Sequence, residues 1–286
     1  MKNDKLIFDI GFHKGEDTQY YLHLGYRVIG VDADPAMVQR ANDLFKEQVA
    51  SGQLTMLNFA VSETDGDQVE LNISEWSYWN SLKKDIANRD NKGMTTVQVP
   101  TTRLDSLMMK YGVPYYCKID IEGYDAVAAS TLLKSGCRPS FISVETECVG
   151  DNEKITEEEA LKTLYVLQEL GYTHFKLVDQ SSLSVLSREP FYNITWQPSL
   201  TDKIKRRLLG KENRPPKAAD NLERLNKKHD FVFALYSSGP FGNSLEGRWL
   251  DFETAKRILL MHRADFFRNT KAASYSFWCD WHAAKF

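Results

Sequence analysis

The residues with the clearest chemical potential in this sequence are carboxylates standing at the ends of short apolar runs. Leu6-Ile7-Phe8-Asp9-Ile10 carries Asp9, Arg27-Val28-Ile29-Gly30-Val31-Asp32 ends on Asp32, Tyr115 to Gly123 carries Asp120 and Glu122, and Ser140 to Glu145 ends on Glu145. In an open parallel α/β sheet the carboxyl ends of the strands face the ligand crevice. Asp9, Asp32, Asp120 and Glu145, placed this way, read as one rim. Residues two apart on an extended chain share a face, so Asp120 and Glu122 converge if the strand runs that far. A carboxylate within hydrogen-bond reach of a hydroxyl takes its proton. Asp120 is therefore the expected general base, with Glu122 and Glu145 as alternatives or as residues that orient an acceptor, and His13 as an outside choice.

The turn after the first run sets the kind of ligand. Asp9-Ile10-Gly11-Phe12-His13-Lys14-Gly15 opens a helix expected from Glu16 to Leu24. Gly11 lets backbone turn tightly and come close to a ligand, while Gly15 removes a Cβ where helix and strand must pack. Asp32 follows the turn by about twenty residues, the place where a carboxylate meets a ribose diol. His13 stands where a dinucleotide turn needs its middle glycine, which argues against a pyrophosphate. A cofactor with one ribose and no phosphate fits better. S-adenosylmethionine is such a cofactor, with Asp9 expected to face its ammonium group. No metal site is expected: there is no His-x-x-His or His-Glu-x-x-His, although acids clustered at strand ends have the chemistry for Mg2+.

Stepping outward, the elements that must position these residues alternate. Helical spacing runs through Ala36, Val38, Ala41, Leu44, Phe45 and Val49, then a strand from Leu54 to Val61, an edge strand from Gln68 to Ile73, and an irregular stretch with Trp76, Tyr78 and Trp79. Val97 to Leu107 is a strand running into a helix, Tyr124 to Leu133 another helix, and Glu157 to Leu170 a third. Strands alternating with helices make parallel crossovers. His174 to Asp179 and Asp230 to Tyr236 are the expected closing strands. Residues 187–229 read as an insertion with Pro198, Lys203-Ile204-Lys205-Arg206-Arg207 and Pro215-Pro216, expected to cover the acceptor. The tail adds a helix from Asp251 to Phe267 and the aromatic run Phe277 to His282, expected to pack back on the domain or to join a homodimer interface. The resulting organisation is a core over 1–186, the insertion over 187–229, and 230–286 completing the same domain.

The totals agree with a soluble α/β enzyme. With 286 residues and a formal net charge of -3 of mixed sign, there is no global case for DNA or an anionic membrane. The four cysteines, Cys117, Cys137, Cys148 and Cys279, are scattered and read as free thiols, and the polar start leaves no room for a signal peptide. No run reaches the length of a membrane span. A cytoplasmic location is expected.

Taken together, these stretches resemble the FkbM family of S-adenosylmethionine-dependent methyltransferases. Phe8-Asp9-Ile10-Gly11 through Gly15-Glu16-Asp17-Thr18 is similar to the family's cofactor turn, Val31-Asp32-Ala33-Asp34-Pro35 to its ribose-binding strand end, and Asn58-Phe59-Ala60-Val61-Ser62 to the loop beside the adenine. Asn80-Ser81-Leu82, Arg103-Leu104-Asp105-Ser106-Leu107 and Lys118-Ile119-Asp120-Ile121-Glu122-Gly123 match the remaining pieces. His13 departs from the small amide residue of most members, and Asp32 from the commoner Glu. The resemblance implies the class I methyltransferase fold, a Rossmann-like, doubly wound, mostly parallel sheet of seven strands with the last antiparallel. It implies a cofactor set of Asp9, Gly11, His13, Gly15, Asp17, Thr18, Asp32, Ala33, Ala60, Val61, Asn80 and Ser81. It also implies O-methylation of a hydroxyl on a sugar, polysaccharide or secondary metabolite. Rival readings are an NAD(P)-dependent oxidoreductase on the same topology, an RNA methyltransferase using the basic run, and a binding protein that keeps the fold without turnover.

Overall fold

The computed structural model of the chain describes residues 2–75, 77–88, 94–147, 155–188, 199–201, 204, 216–234, 237–269 and 278–286. Its strands are β1 (Lys2–Ile10), β2 (Arg27–Asp32), β3 (Leu54–Asn58), β4 (Ala60–Val61), β5 (Gln68–Ser74), β6 (Met94–Thr102), β7 (Val113–Ile119), β8 (Phe141–Glu145), β9 (His174–Asp179), β10 (Ser184–Val185) and β11 (Cys279–Ala284). The main sheet has the order β10-β9-β11-β8-β7-β1-β2-β3. Strands β3, β2, β1, β7 and β8 are parallel, and β11 lies antiparallel between β8 and β9. The order reverses at β1, which sits between β2 and β7, so a crevice opens above their carboxyl ends. This is the expected doubly wound sheet with an antiparallel closing strand, extended by the short β10.

The main helices are α1 (Glu16–His23), α2 (Pro35–Leu44), α3 (Lys46–Ala50), α4 (Lys84–Ala87), α5 (Leu104–Tyr111), α6 (Asp125–Thr131), α7 (Glu157–Ala160), α8 (Lys162–Glu169), α9 (Pro216–His229) and α10 (Phe252–Asn269). They cover both faces of the sheet, which is why its central strands read as apolar runs instead of alternating ones. In β1, Leu6, Phe8 and Ile10 join a core with Leu104, Ala128, Leu164 and Leu259, while Ile7 joins the opposite core with Tyr20, Tyr21, Ala41 and Leu225. Strand β5 pairs antiparallel with β6, and β4 parallel with β6, in a separate small sheet.

One expectation needs correction. The closing strand is Cys279–Ala284 and not Asp230 to Tyr236. Asp230 takes a left-handed φ of 48° just after α9, and Phe231 and Phe233 then pack on Tyr20, with ring centroids 5.0 and 4.8 Å away, instead of pairing with a strand. The aromatic tail does pack back on the domain. Every residue of β11 is buried inside the chain's own sheet, so that stretch offers no surface to a second copy. The insertion's described helix α9 packs through Leu222 and Leu225 on the α1 face, and none of its described residues lines the main cavity. The run Lys203 to Arg207 lies, apart from Ile204, outside the described residues, as do Trp76, Cys148 and Phe277. The other three cysteines are buried free thiols. Among the described residues no helix is long and apolar enough to cross a membrane.

Candidate active site

The crevice begins where β1 turns into α1. Gly11 has φ 83°, and a Cβ there would lie 1.7 Å from the Asp120 carbonyl oxygen, so only glycine lets the ends of β1 and β7 touch backbone to backbone. His13, also left-handed at φ 51°, donates its backbone N–H to Asp32 Oδ2 at 2.7 Å, and the Asp34 N–H donates to Asp32 Oδ1 at 2.8 Å. Asp32 thus ties the turn to the end of β2. Burial raises its pKa to about 6 even though both N–H groups favour the charged form. The His13 ring reaches sideways, with Nε2 2.8 Å from Ser77 Oγ and its centroid 4.1 Å from that of Tyr78.

A buried lysine that the motif reading passed over organises the floor. Lys118 Nζ donates to the Gly11 carbonyl at 3.0 Å and sits 3.5 Å from Asp9 Oδ1, 3.5 Å from Asp17 Oδ2 and 3.6 Å from Asp120 Oδ2. Burial opposes the ammonium, but Asp9, Asp120 and Asp17 outweigh it and hold its pKa well above the ordinary lysine value. One ammonium cannot neutralise three carboxylates. Burial accordingly pushes Asp17 up to about 7 and raises Asp9, against the pull of Lys118. Asp9 is fully buried, accepts from Thr18 Oγ1 at 2.6 Å, and does not line the cavity. Its expected place facing a ligand's ammonium is therefore taken by its bond to Lys118.

The acids of β7 and β8 meet above this floor. Strand β7 stops at Ile119, so the convergence of Asp120 and Glu122 comes from a turn and not from the strand repeat. Asp125 Oδ1 and Oδ2 accept from the N–H groups of Ile121 and Gly123 at 2.8 and 2.9 Å, Ser81 Oγ donates to the Glu122 carbonyl at 2.7 Å, and Glu122 is held at φ 51°. Left-handed non-glycine residues cost of order 1–3 kcal/mol and gather at functional sites. Carboxylate oxygens of Asp120, Glu122 and Glu145 lie within 4.8 Å of one another. Glu145 accepts from Trp278 Nε1 at 2.8 Å. Burial first, then repulsion from Glu122, Asp120, Asp125 and Asp280, holds its carboxyl well above the usual range.

These groups line one cavity of about 1050 Å3. That is the upper end for small-molecule sites, roomy enough for a nucleoside and an acceptor together. Gly11, His13, Asp17, Asp32, Ala33, Ala60, Val61, Asn80 and Ser81 all line it, as do Asp120, Glu122 and Glu145. Asp9, Gly15 and Thr18 stand behind its wall. Gly15 serves packing, since a Cβ there would meet Phe12 and Phe45 at 2.8 Å. Asn80 Nδ2 donates to Asp34 Oδ2 at 2.9 Å, which pins the Ser77–Asn80 loop over the end of β2. Tyr78 and Trp79 of that loop also line the cavity.

Fold and site together define an α/β domain with a crevice at its topological switch point and a histidine, not a glycine, at position 13. The chain belongs to the FkbM methyltransferase family: the profile of the Methyltransferase FkbM domain matches residues 9–173, more than half of it. The class of S-adenosylmethionine-dependent methyltransferases that the sequence resembled is thereby borne out. No curated protein gives a significant match. Among solved structures, an S-adenosylmethionine-dependent methyltransferase from Geobacter sulfurreducens in complex with S-adenosyl-L-homocysteine is 13% identical, with a TM-score of 0.36, over 100% of this chain and 86% of that one. Its counterpart from Thiobacillus denitrificans, also with S-adenosyl-L-homocysteine, is 11% identical, with a TM-score of 0.37, over 100% and 87%. The precorrin-6y C5,15-methyltransferase of Geobacter metallireducens is 11% identical, with a TM-score of 0.33, over 65% and 75%. At such distances the topology rests on the chain's own strand order.

Proposed function

We propose that this chain transfers the methyl group of S-adenosylmethionine to a hydroxyl of a sugar, polysaccharide or secondary metabolite. The observation that carries the reading is the shared cavity, with a diol acceptor, Asp32, at the β2 end and three convergent carboxylates at the ends of β7 and β8. The residues fit the cofactor. Each Asp32 oxygen keeps a lone pair beyond its one backbone bond, Gly11 lines the cavity where β1 turns into α1, and the acidic wall suits a sulfonium cation. When bound, the cofactor supplies a methyl carbon already activated toward displacement.

The protein's part is alignment and proton removal. Asp120 takes the acceptor hydroxyl's proton, Glu122 and Glu145 orient the acceptor, and the Ser77–Asn80 loop with Tyr78 and Trp79 limits access of water. His13 fills the position through which a pyrophosphate would approach, which speaks against a nicotinamide dinucleotide. Calorimetry with S-adenosylhomocysteine tests the reading. The wild type is expected to bind it, and Asp32→Ala to bind it about tenfold or more weakly through loss of charge-assisted bonds. Wild-type protein that ignores the compound, or a variant that binds it equally well, would sink the proposal.

A further inference from the structure

We infer that Asp120, Glu122 and Glu145 form a binding site for one divalent, oxygen-preferring cation at the acceptor side of the cavity. Three carboxylates with oxygens within 4.8 Å of one another match what a single ion requires. Donors about 2.1 Å from a Mg2+ ion stand roughly 3 to 4.2 Å apart, a difference closed by small side-chain rotations. The donor set is all oxygen, which selects Mg2+, Mn2+ or Ca2+ over zinc or copper.

One observation outside the cluster points the same way. Thr146 follows Glu145, is 3% exposed and lines the cavity, yet its hydroxyl has no partner among the described residues. Asp280 stands directly opposite Glu145 in the β8–β11 register, so their side chains share a face. It is 2% exposed, and its Oδ1 likewise has no partner among the described residues. A buried carboxylate oxygen and a buried hydroxyl without donors are costly. A cation among the acids, with the water it retains, supplies what the Thr146 hydroxyl lacks, whereas Asp280 does not line the cavity.

The Lys118 ammonium does not by itself neutralise the cluster. Lys118 reaches Asp120 at 3.6 Å but divides its charge among Asp9, Asp17 and Asp120. Among the described residues Glu145 has no ion pair and instead meets the Trp278 indole. Asp120 carries two oxygens, so one can hold the ion while the other remains for a proton. An ion here would fix and polarise an acceptor oxygen. That role rests on the methyltransferase reading above and favours a hydroxyl acceptor over an amine, since hard cations prefer oxygen. The site itself does not depend on that reading.

The test is Mn2+ titration of the chelator-treated full chain, followed by loss of the free-ion electron paramagnetic resonance signal, with Mg2+ as competitor. The expected result is one Mn2+ per chain, weakened about tenfold or more in Glu145→Gln and in Glu122→Gln. Circular dichroism and S-adenosylhomocysteine calorimetry on the same variants confirm an intact fold and cofactor side. Asp32→Asn should do the reverse, weakening S-adenosylhomocysteine and leaving Mn2+ bound. No Mn2+ uptake at about 1 mM, a concentration weaker than most oxygen-ligated sites, overturns the inference, as does equal uptake by wild type and both Gln variants. Wild-type protein that takes Mn2+ but not S-adenosylhomocysteine would leave the cation site standing and remove the methyl-donor reading instead.

Discussion

At the scale of single residues, the site depends on Lys118. Its ammonium is what allows Asp9, Asp17 and Asp120 to lie beside one another under the turn. Lys118→Met keeps the length of the stem and removes the charge, leaving buried carboxylates with no cation. Breaking one side of such a buried set typically costs about 3–5 kcal/mol. The loss is expected in urea melts at neutral pH, and it should shrink toward pH 5 as Asp9 and Asp17, whose pKa values are raised in the fold, take up protons. An equal loss at both pH values would mean that Lys118 acts through packing alone. The sequence made Asp9, Gly11, Asp32 and the three catalytic candidates legible because strand ends and glycine turns have local signatures. It hid Lys118, because that role comes from a meeting of positions 9, 17, 118 and 120, which no spacing along the chain encodes.

At the scale of elements, the lesson lies in the two candidates for the last strand. Asp230-Phe-Val-Phe-Ala-Leu-Tyr236 has the stronger strand pattern, yet its described residues 230–234 follow α9 into a turn, and Phe231 and Phe233 pack on Tyr20. Cys279-Asp-Trp-His-Ala-Ala284 has a weak pattern and occupies the middle of the sheet. Its polar residues are tolerated there because their neighbours are polar too. Asp280 accepts from the Gln180 side-chain amide, and His282 is paired in register with Lys176 and Ser143. Periodicity cannot see that compensation, whereas the first strand, apolar on both faces, announces itself. The two tryptophans of this segment should therefore separate fold from site. Trp281 is fully buried in the core, so Trp281→Ala is expected to cost about 3–5 kcal/mol by chemical denaturation. Trp278 lines the cavity and donates to Glu145, so Trp278→Phe should spare most of that stability. Comparable losses from both would place Trp278 in the framework as well.

At the scale of the whole molecule, the cavity makes folding itself sensitive to pH. Burial holds Asp17 at about 7, Glu147 at about 7 and Asp280 at about 8 in the folded protein. Carboxyls in an unfolded chain release their protons near pH 4. Between about pH 4 and 8 the folded state therefore retains protons that the unfolded state has lost, and stability must fall as pH rises through that window and level off above it. Three histidines, His262 and His282 buried and His229 half-buried, act in the opposite sense. Burial drops His282 to about 3 and lowers His262 and His229, so the unfolded chain gains protons there below about pH 6.5. Above about pH 6.5 the histidines are neutral in both states, so the acids alone set the slope and chelator-treated, ligand-free protein loses stability up to about pH 8. Asp280→Asn removes the highest of those protons while keeping the side chain's shape and its ability to accept from Gln180. It is expected to raise the melting temperature most at about pH 8.5, about half as much at about pH 6 and little near pH 4, and so to flatten the descent. A variant that melts in parallel with the wild type across that range would mean that Asp280 is already ionised in the fold, and that the negative charge at this end of the sheet is compensated by something other than bound protons.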